Sequence, residues 1–223
     1  MSWFITAINS SIGKKLIMSF AGLFLIAFLL VHLGINLLVL LENNTYFNVA
    51  AHFMATNWVI KVFEVILFLG FLIHIIYALI LQIQNWMARP VRYKIENLTS
   101  QTSFFSKYMI HTAVIILIFL VLHLFDFYLR SKLFEELPID KISGKPDMAA
   151  WVEAEFKETS AVIIYVVSFL FLAFHLNHAF QSAFQTLGLN HNKWTPVIKF
   201  LGLLYSILVP AGFAFISLYI YFS

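Results

Sequence analysis

The sequence predicts an all-α integral membrane bundle of five transmembrane helices, and three observations carry that expectation. The chain is 61% hydrophobic and only 11% charged over 223 residues, whereas a soluble domain is about half apolar and about a quarter charged. Its apolar residues gather into five runs, each long enough for the roughly 20 residues of helix that a bilayer core requires. Four of those runs hold a histidine near the middle: FLLVHLGIN around His32, GFLIHIIYA around His74, FLVLHLFDF around His123 and FLAFHLNHA around His175. An ionisable side chain is costly in hydrocarbon and marks a functional site by default. The chain has no cysteine. Disulfides, thiolate-held iron–sulfur clusters, zinc–thiolate sites and covalently attached c-type haem are therefore excluded from it. The formal net charge of +3 says little until the charges are placed along the chain. Membrane lipid is expected as a partner and nucleic acid is not.

The whole chain, 1–223, reads as one transmembrane domain. Residues 2–13 read as an amphipathic interfacial stub and not as a cleaved signal, because Lys14 and Lys15 precede a full-length span. The first span, 16–41, holds no Asp, Glu, Lys or Arg. Residues 42–58 are polar and aromatic and form a short interfacial helix. The second span covers 59–85, with Lys61 and Glu64 near enough to its start to reach the headgroups. A loop with Pro90 and the bases Arg89, Arg92, Lys94 and Lys107 leads to the third span, 108–129, which closes at Asp126 and Arg130. Residues 130–158 are acidic, and within them DMAAWVEAEFKE reads as an amphipathic turn or two on the membrane surface. The fourth span is 159–186. Pro196 then suits a helix start, and Pro210 and Gly212 are expected to bend the fifth span, 198–222.

Five spans place the termini on opposite sides. With the N-terminus inside, the inner segments hold eight Lys and Arg residues against six outside, which favours a cytoplasmic N-terminus and a periplasmic C-terminus.

His32, His74, His123 and His175 each lie 16 residues after the start of their span, taken at Leu16, Trp58, Lys107 and Thr159. Successive spans run in opposite directions, so equal distance from the start means alternating depth. His32 and His123 fall in an outer layer, His74 and His175 in an inner one, with the layers on the order of 10 Å apart. Two layers of two histidines suit two six-coordinate b-type haems, each held between two helices. Bis-His ligation leaves no open position for oxygen or substrate, so the expected task is electron transfer across the bilayer. LIAFLLVHL (25–33) also matches ILIFLVLHL (116–124), sharing Phe28/Phe119 and Leu29/Leu120. The second and fourth spans share Phe68-Leu69/Phe169-Leu170 before their histidines and Ala78/Ala179 after them.

Two other readings stand beside this one. Intramembrane histidines also hydrogen-bond neighbouring helices, and they can line a metal or proton path, although such paths normally add midplane carboxylates. His178, three residues after His175, competes with it as a ligand or contacts haem propionates. His52 and His191 lie in loops, and His111 lies one turn into the third span.

The order and spacing of VHLGIN at His32, NVAAHFM, LIHIIYALI at His74, FLVLHLFDF at His123 and FHLNHAFQSAFQTLGL at His175 resemble the dihaem cytochrome b subunit of succinate:quinone oxidoreductase. This is the single-subunit, five-helix membrane anchor of succinate dehydrogenase or fumarate reductase, and the resemblance covers almost the whole chain. It implies axial ligation of the distal haem b by His32 and His123 and of the proximal haem b by His74 and His175. It also implies an iron–sulfur partner subunit fed by an FAD flavoprotein, a quinone, commonly menaquinone, reacting near the distal haem, and a place in the bacterial cytoplasmic membrane. The dicarboxylate active site would then lie on another chain. Glu64, His52 and Asp126, the titratable groups nearest that layer, are the candidate quinone and proton-transfer residues. Glu64 could instead pair with Lys61, and Asp126 with Arg130. Lys14, Lys15, Arg89, Arg92, Lys107 and Lys193 are candidates for docking the partner subunit or lipid phosphates. Membrane cytochromes of hydrogenases and formate dehydrogenases place their ligands differently.

Overall fold

A computed structural model describes residues 3–88, 108–134, 138–139 and 144–223. The loop bases Arg89, Arg92, Lys94 and Lys107 lie outside the described residues. The described residues are helical throughout, apart from short connections and an isolated bridge between Ile139 and Pro146. Five helical segments are long and apolar enough to cross a membrane: Ser11–Leu40, Trp58–Met87, Met109–Lys132, Thr159–Thr186 and Thr195–Phe222. The chain is an all-α, multi-pass membrane protein.

Helix α1 (Trp3–Asn9) leads directly into α2 (Ser11–Asn36), whose N-cap, Ser10, accepts a hydrogen bond from the Gly13 N–H at 3.0 Å. A 3₁₀ turn, Leu37–Leu40, extends α2 by four residues. The short interfacial helix is α3 (Thr45–Thr56), and Asn57 caps the next span, α4 (Trp58–Met87), by accepting from Val59 N–H at 2.9 Å. Helix α5 (Met109–His123) passes into a π-helical segment, Leu124–Phe134, immediately after its histidine. The acidic loop contains α6 (Met148–Lys157), capped by Asp147. The last spans are α7 (Thr159–Thr186) and α8 (Thr195–Phe222), and α8 remains helical through Pro210.

The core lies along α7 and α8, whose facing residues include Val162, Tyr165, Phe169, Leu172, Leu176, Val209, Phe213, Ile216 and Ile220. Lipid tails are as apolar as these side chains, so close helix packing depends on small residues and polar contacts. Gly202 lets α8 ride over Phe180 of α7: a Cβ there would stand 2.9 Å from the Phe180 ring. Gly212 does the same against Leu33 of α2, at 3.0 Å. Tyr205 of α8 donates to the Ile26 carbonyl of α2 at 2.6 Å.

Around this centre, α2 packs along α4, α7 and α8, and α5 packs along α7. Helices α4, α2, α7 and α5 therefore follow one another around the bundle, with α8 behind α2 and α7. One end is closed by α3 and α6, which are pinned together. Asn44 donates to Glu153 at 3.0 Å, and Asn48 donates to Asp147 at 2.8 Å while accepting from the Ala149 N–H at 2.9 Å. The surface helix α6 is more deeply seated than an amphipathic turn on lipid, since Ala149, Val152 and Phe156 are buried. It packs against α7 and α8.

Candidate functional site

The four histidines meet in two pairs along the bundle axis. His32 of α2 faces His123 of α5 with ring centres 5.8 Å apart, and His74 of α4 faces His175 of α7 at 6.5 Å. In each pair the two helices do not pack along one another. The imidazoles thus reach across the interior from opposite sides of the four-helix ring, the arrangement by which bundles build cofactor sites. The His32–His123 pair lies toward the end closed by α3 and α6, and the His74–His175 pair toward the opposite end.

Three helices measure the distance between the layers. On α2, Gly22 lies against the His74 ring and stands ten residues before His32. On α7, Tyr165 touches His123 and stands ten residues before His175. On α5, Thr112 touches His175 and stands eleven residues before His123. At 1.5 Å per residue each ladder gives about 15 Å, wider than the 10 Å expected from span starts. The helices do not all begin where the span starts were taken: α2 begins at Ser11 and α5 at Met109.

The His123 ring sits in an aromatic box. Phe119 stacks on it at 5.7 Å, and Phe127 and Tyr165 approach at 5.3 and 6.0 Å. On α2, Phe28 stacks on His32 at 5.2 Å with the planes 20° apart. Each phenylalanine precedes its histidine by four residues, one helical turn, which places the rings on one face. The short sequence match between the first and third spans is therefore a repeated Phe-on-His stack. Phe213 of α8 completes the His32 surroundings at 5.6 Å.

Polar neighbours of the imidazoles differ from one to the next. The Asn36 amide donates to the His32 carbonyl at 2.8 Å and lies 3.5 Å from His32 Nδ1. Tyr165 Oη lies 3.5 Å from His123 Nδ1, and Thr112 Oγ1 lies 3.4 Å from His175 Nδ1. His74 Nδ1 is buried, and the nearest polar group to its ring is the Met18 backbone on α2.

These residues fit two bis-His haems better than bare metal ions. Structural zinc takes four protein ligands and catalytic zinc three, yet no group of three or more His, Cys, Asp or Glu able to hold a metal occurs among the described residues. A haem iron takes four of its donors from the porphyrin and needs two from the protein. With a metal–nitrogen bond of about 2 Å on each side, two axial imidazoles have ring centres about 6.5 Å apart, close to the separations of both pairs. His32 with His123, and His74 with His175, are the residues that would hold the two haem irons. Helix α4 packs along α2 and α3, has no buried residue, and meets the π segment through Phe68 and Glu64.

The other candidate residues separate clearly. His178 is partly buried on α7 and lies beside His175, but it is His175 whose ring faces His74. Gln181, three residues after His178, donates to Asn177 at 3.0 Å. His52 is exposed on α3, His111 is exposed beside Tyr108, and His191 is exposed in the last loop.

Glu64 and Asp126 both lie at the end closed by α3 and α6, beyond the His32–His123 pair. Glu64 accepts from Tyr128 at 2.5 Å and lies 4.0 Å from Lys132, so its partners are on the π segment and not Lys61. Asp126 accepts from Tyr165 at 3.1 Å, and its backbone carbonyl accepts from the Trp151 indole at 3.1 Å. Arg130 turns from Asp126 to Glu155, at 3.8 Å, and lies over the rings of Phe125 and Trp151. Burial pushes the Glu155 carboxyl above its ordinary range, and repulsion from Asp126 adds to this against the pull of Arg130. The π segment thus carries Asp126, Tyr128, Arg130 and Lys132 past the upper histidine pair, as such segments often do at functional sites.

Tyr128, Tyr165 and Thr112 are site residues that sequence reasoning missed. Their only advance signal is polarity inside apolar runs. No protein-family model, curated protein or solved structure matches this chain.

Proposed function

We propose that this chain is the dihaem cytochrome b membrane anchor of a succinate:quinone oxidoreductase in a bacterial cytoplasmic membrane. It passes electrons between a partner iron–sulfur subunit and a membrane quinone, with menaquinone the expected species. The observation that carries the reading is the pairing of four intramembrane histidines, two and two, across the axis of a helical ring.

His32 and His123 would hold one haem b, His74 and His175 the other. A haem bound by either pair would supply a one-electron ferric–ferrous couple. The protein's own residues do the rest. The Phe28 and Phe119 stacks fix two of the imidazoles, and the packed α2–α7–α8 core holds the layers at constant spacing.

At the end closed by α3 and α6, Glu64 and Tyr128 form a carboxylate–phenol pair beside Lys132. A quinone taking up two electrons also takes up two protons, and this pair can hydrogen-bond a quinone carbonyl and deliver one of them. Asp126 serves the His123 side through Tyr165. Lys14, Lys15 and Lys193, at the opposite end, are suited to docking the partner subunit. His52 is left exposed and has no assigned step in this scheme.

The test is purification of the chain from its native membrane through an affinity tag. An iron–sulfur subunit and an FAD flavoprotein are expected to co-purify, and succinate is expected to reduce b-type absorption in the complex. Recovery of the chain with b-type absorption but with a different dehydrogenase would move it to another class of respiratory anchor.

A further inference from the structure

Helices α5 and α7 exchange hydroxyl groups. His123 of α5 meets the Tyr165 hydroxyl of α7, and His175 of α7 meets the Thr112 hydroxyl of α5, at 3.5 and 3.4 Å from the respective Nδ1 atoms. A hydroxyl has one proton to donate, and each of these is already committed. Tyr165 donates to Asp126 Oδ2 at 3.1 Å, and Thr112 donates to the Met109 carbonyl at 2.9 Å. Both oxygens therefore present lone pairs to the imidazole beside them. The complement to a lone pair is an N–H, and a neutral imidazole protonated at Nδ1 keeps its lone pair on Nε2. Both contacts are longer than an ordinary N–H···O hydrogen bond, so their direction rests on the proton count and not on bond strength.

The other two histidines have no such partner. His74 lies within hydrogen-bonding reach of the Met18 backbone on α2, and His32 Nδ1 faces the Asn36 amide nitrogen, itself a donor. Each layer thus contains one imidazole directed by a hydroxyl from across the α5–α7 interface and one that is not.

We propose that Tyr165 and Thr112 are positioning residues that hold His123 and His175 in the Nδ1–H tautomer, leaving Nε2 free to bind iron, and that Asp126 acts on His123 through Tyr165. The proposal rests on the dihaem reading. A ligating histidine whose second nitrogen donates to an acceptor is a more basic ligand, and a more basic ligand favours the ferric state. Removing the acceptor should therefore raise the midpoint potential of the haem concerned and leave the other alone.

Spectroelectrochemical titration of the haem-loaded full chain tests this. Tyr165→Phe is expected to raise one of the two midpoint potentials and Thr112→Val the other, with Thr112→Ser retaining both wild-type values. Asp126→Asn should move the same potential as Tyr165→Phe, in the same direction and by less. Both hydroxyl deletions moving the same potential, or neither moving any, would overturn the proposal. Complete absence of b-type absorption in the wild type would instead overturn the dihaem reading. In that case ring ¹⁵N shifts of the histidine-labelled full chain still decide the role of the hydroxyls. Nδ1–H tautomers at His123 and His175 that are lost in Tyr165→Phe and Thr112→Val respectively support it, and Nε2–H tautomers at both in the wild type contradict it.

Discussion

Glu64 shows how a residue's role depends on where its partners come from. Lys61 lies three residues away on the same helix, yet Glu64 binds Tyr128 and approaches Lys132 from another span. A pair that crosses between helices can open to admit a ligand without unwinding either. Glu64→Gln and Tyr128→Phe are each expected to lower quinone turnover about 100-fold, the lower end of general acid–base contributions. Haem content, measured by pyridine haemochrome, should stay at the wild-type level. Glu155 gives a prediction of a different kind. Its folded-state pKa is raised, mainly by burial, so its contribution to stability is complete below its unfolded-state pKa and is lost as pH rises through the folded value. Glu155→Gln removes that loss. Thermal unfolding in detergent should give matched midpoints at pH 4 and a more stable variant at pH 8. A variant that is less stable at pH 8 would mean that the Arg130 contact, at 3.8 Å and partly exposed, outweighs the cost of burial. Little of this was legible in the sequence, because a hydrogen bond between residues 64 positions apart depends on the rotation of two helices that no local pattern encodes. The histidines were legible because their cost in hydrocarbon singles them out one by one.

At the scale of elements, hydropathy predicts the spans well, and the fourth span, 159–186, coincides with α7. Length and apolarity are enough there. The π segment after His123 left no such trace. The third span is expected to end at 129 with a loop from 130, whereas the structure continues helical to Phe134 as a π segment, along which Tyr128 and Arg130 reach Glu64 and Glu155. Close approaches between helices were half legible. The sequence marks Gly212 beside Pro210 as a place for a bend and gives no sign of its close approach to Leu33, or that Gly202 is the closest-packed glycine of α8. Gly202→Ala would put a methyl group 2.9 Å from the Phe180 ring. It is expected to cost about 1–3 kcal/mol as an overpacked interface, read as a lowered unfolding midpoint. Gly34→Ala is the control: a Cβ there meets nothing within 4 Å. It should leave stability unchanged or raise it by up to about 1 kcal/mol, the helix-propensity difference between Gly and Ala. Equal destabilisation by both changes would remove the close-packing explanation.

For the whole molecule, the alternation of span direction was sufficient to pair the histidines, since depth is fixed once each helix crosses the membrane. It was not sufficient to show that the paired helices face each other across the ring, which depends on the order α4, α2, α7, α5. The basic-residue distribution predicts a cytoplasmic N-terminus. A C-terminal alkaline phosphatase fusion should then be active and an equivalent fluorescent-protein fusion dark; the reverse outcome would invert the sidedness and put Glu64 and Asp126 on the cytoplasmic side. The proposed electron path requires two haems on one chain, one for each histidine pair. The most direct test is the haem-to-chain ratio, with redox difference spectra, for the purified wild type and the four single His→Ala variants. Two b haems per wild-type chain are expected. His32→Ala and His123→Ala should lose the same spectral component, and His74→Ala and His175→Ala the other. A wild-type chain without b haem, or His32→Ala and His74→Ala depleting the same component, would contradict the assignment.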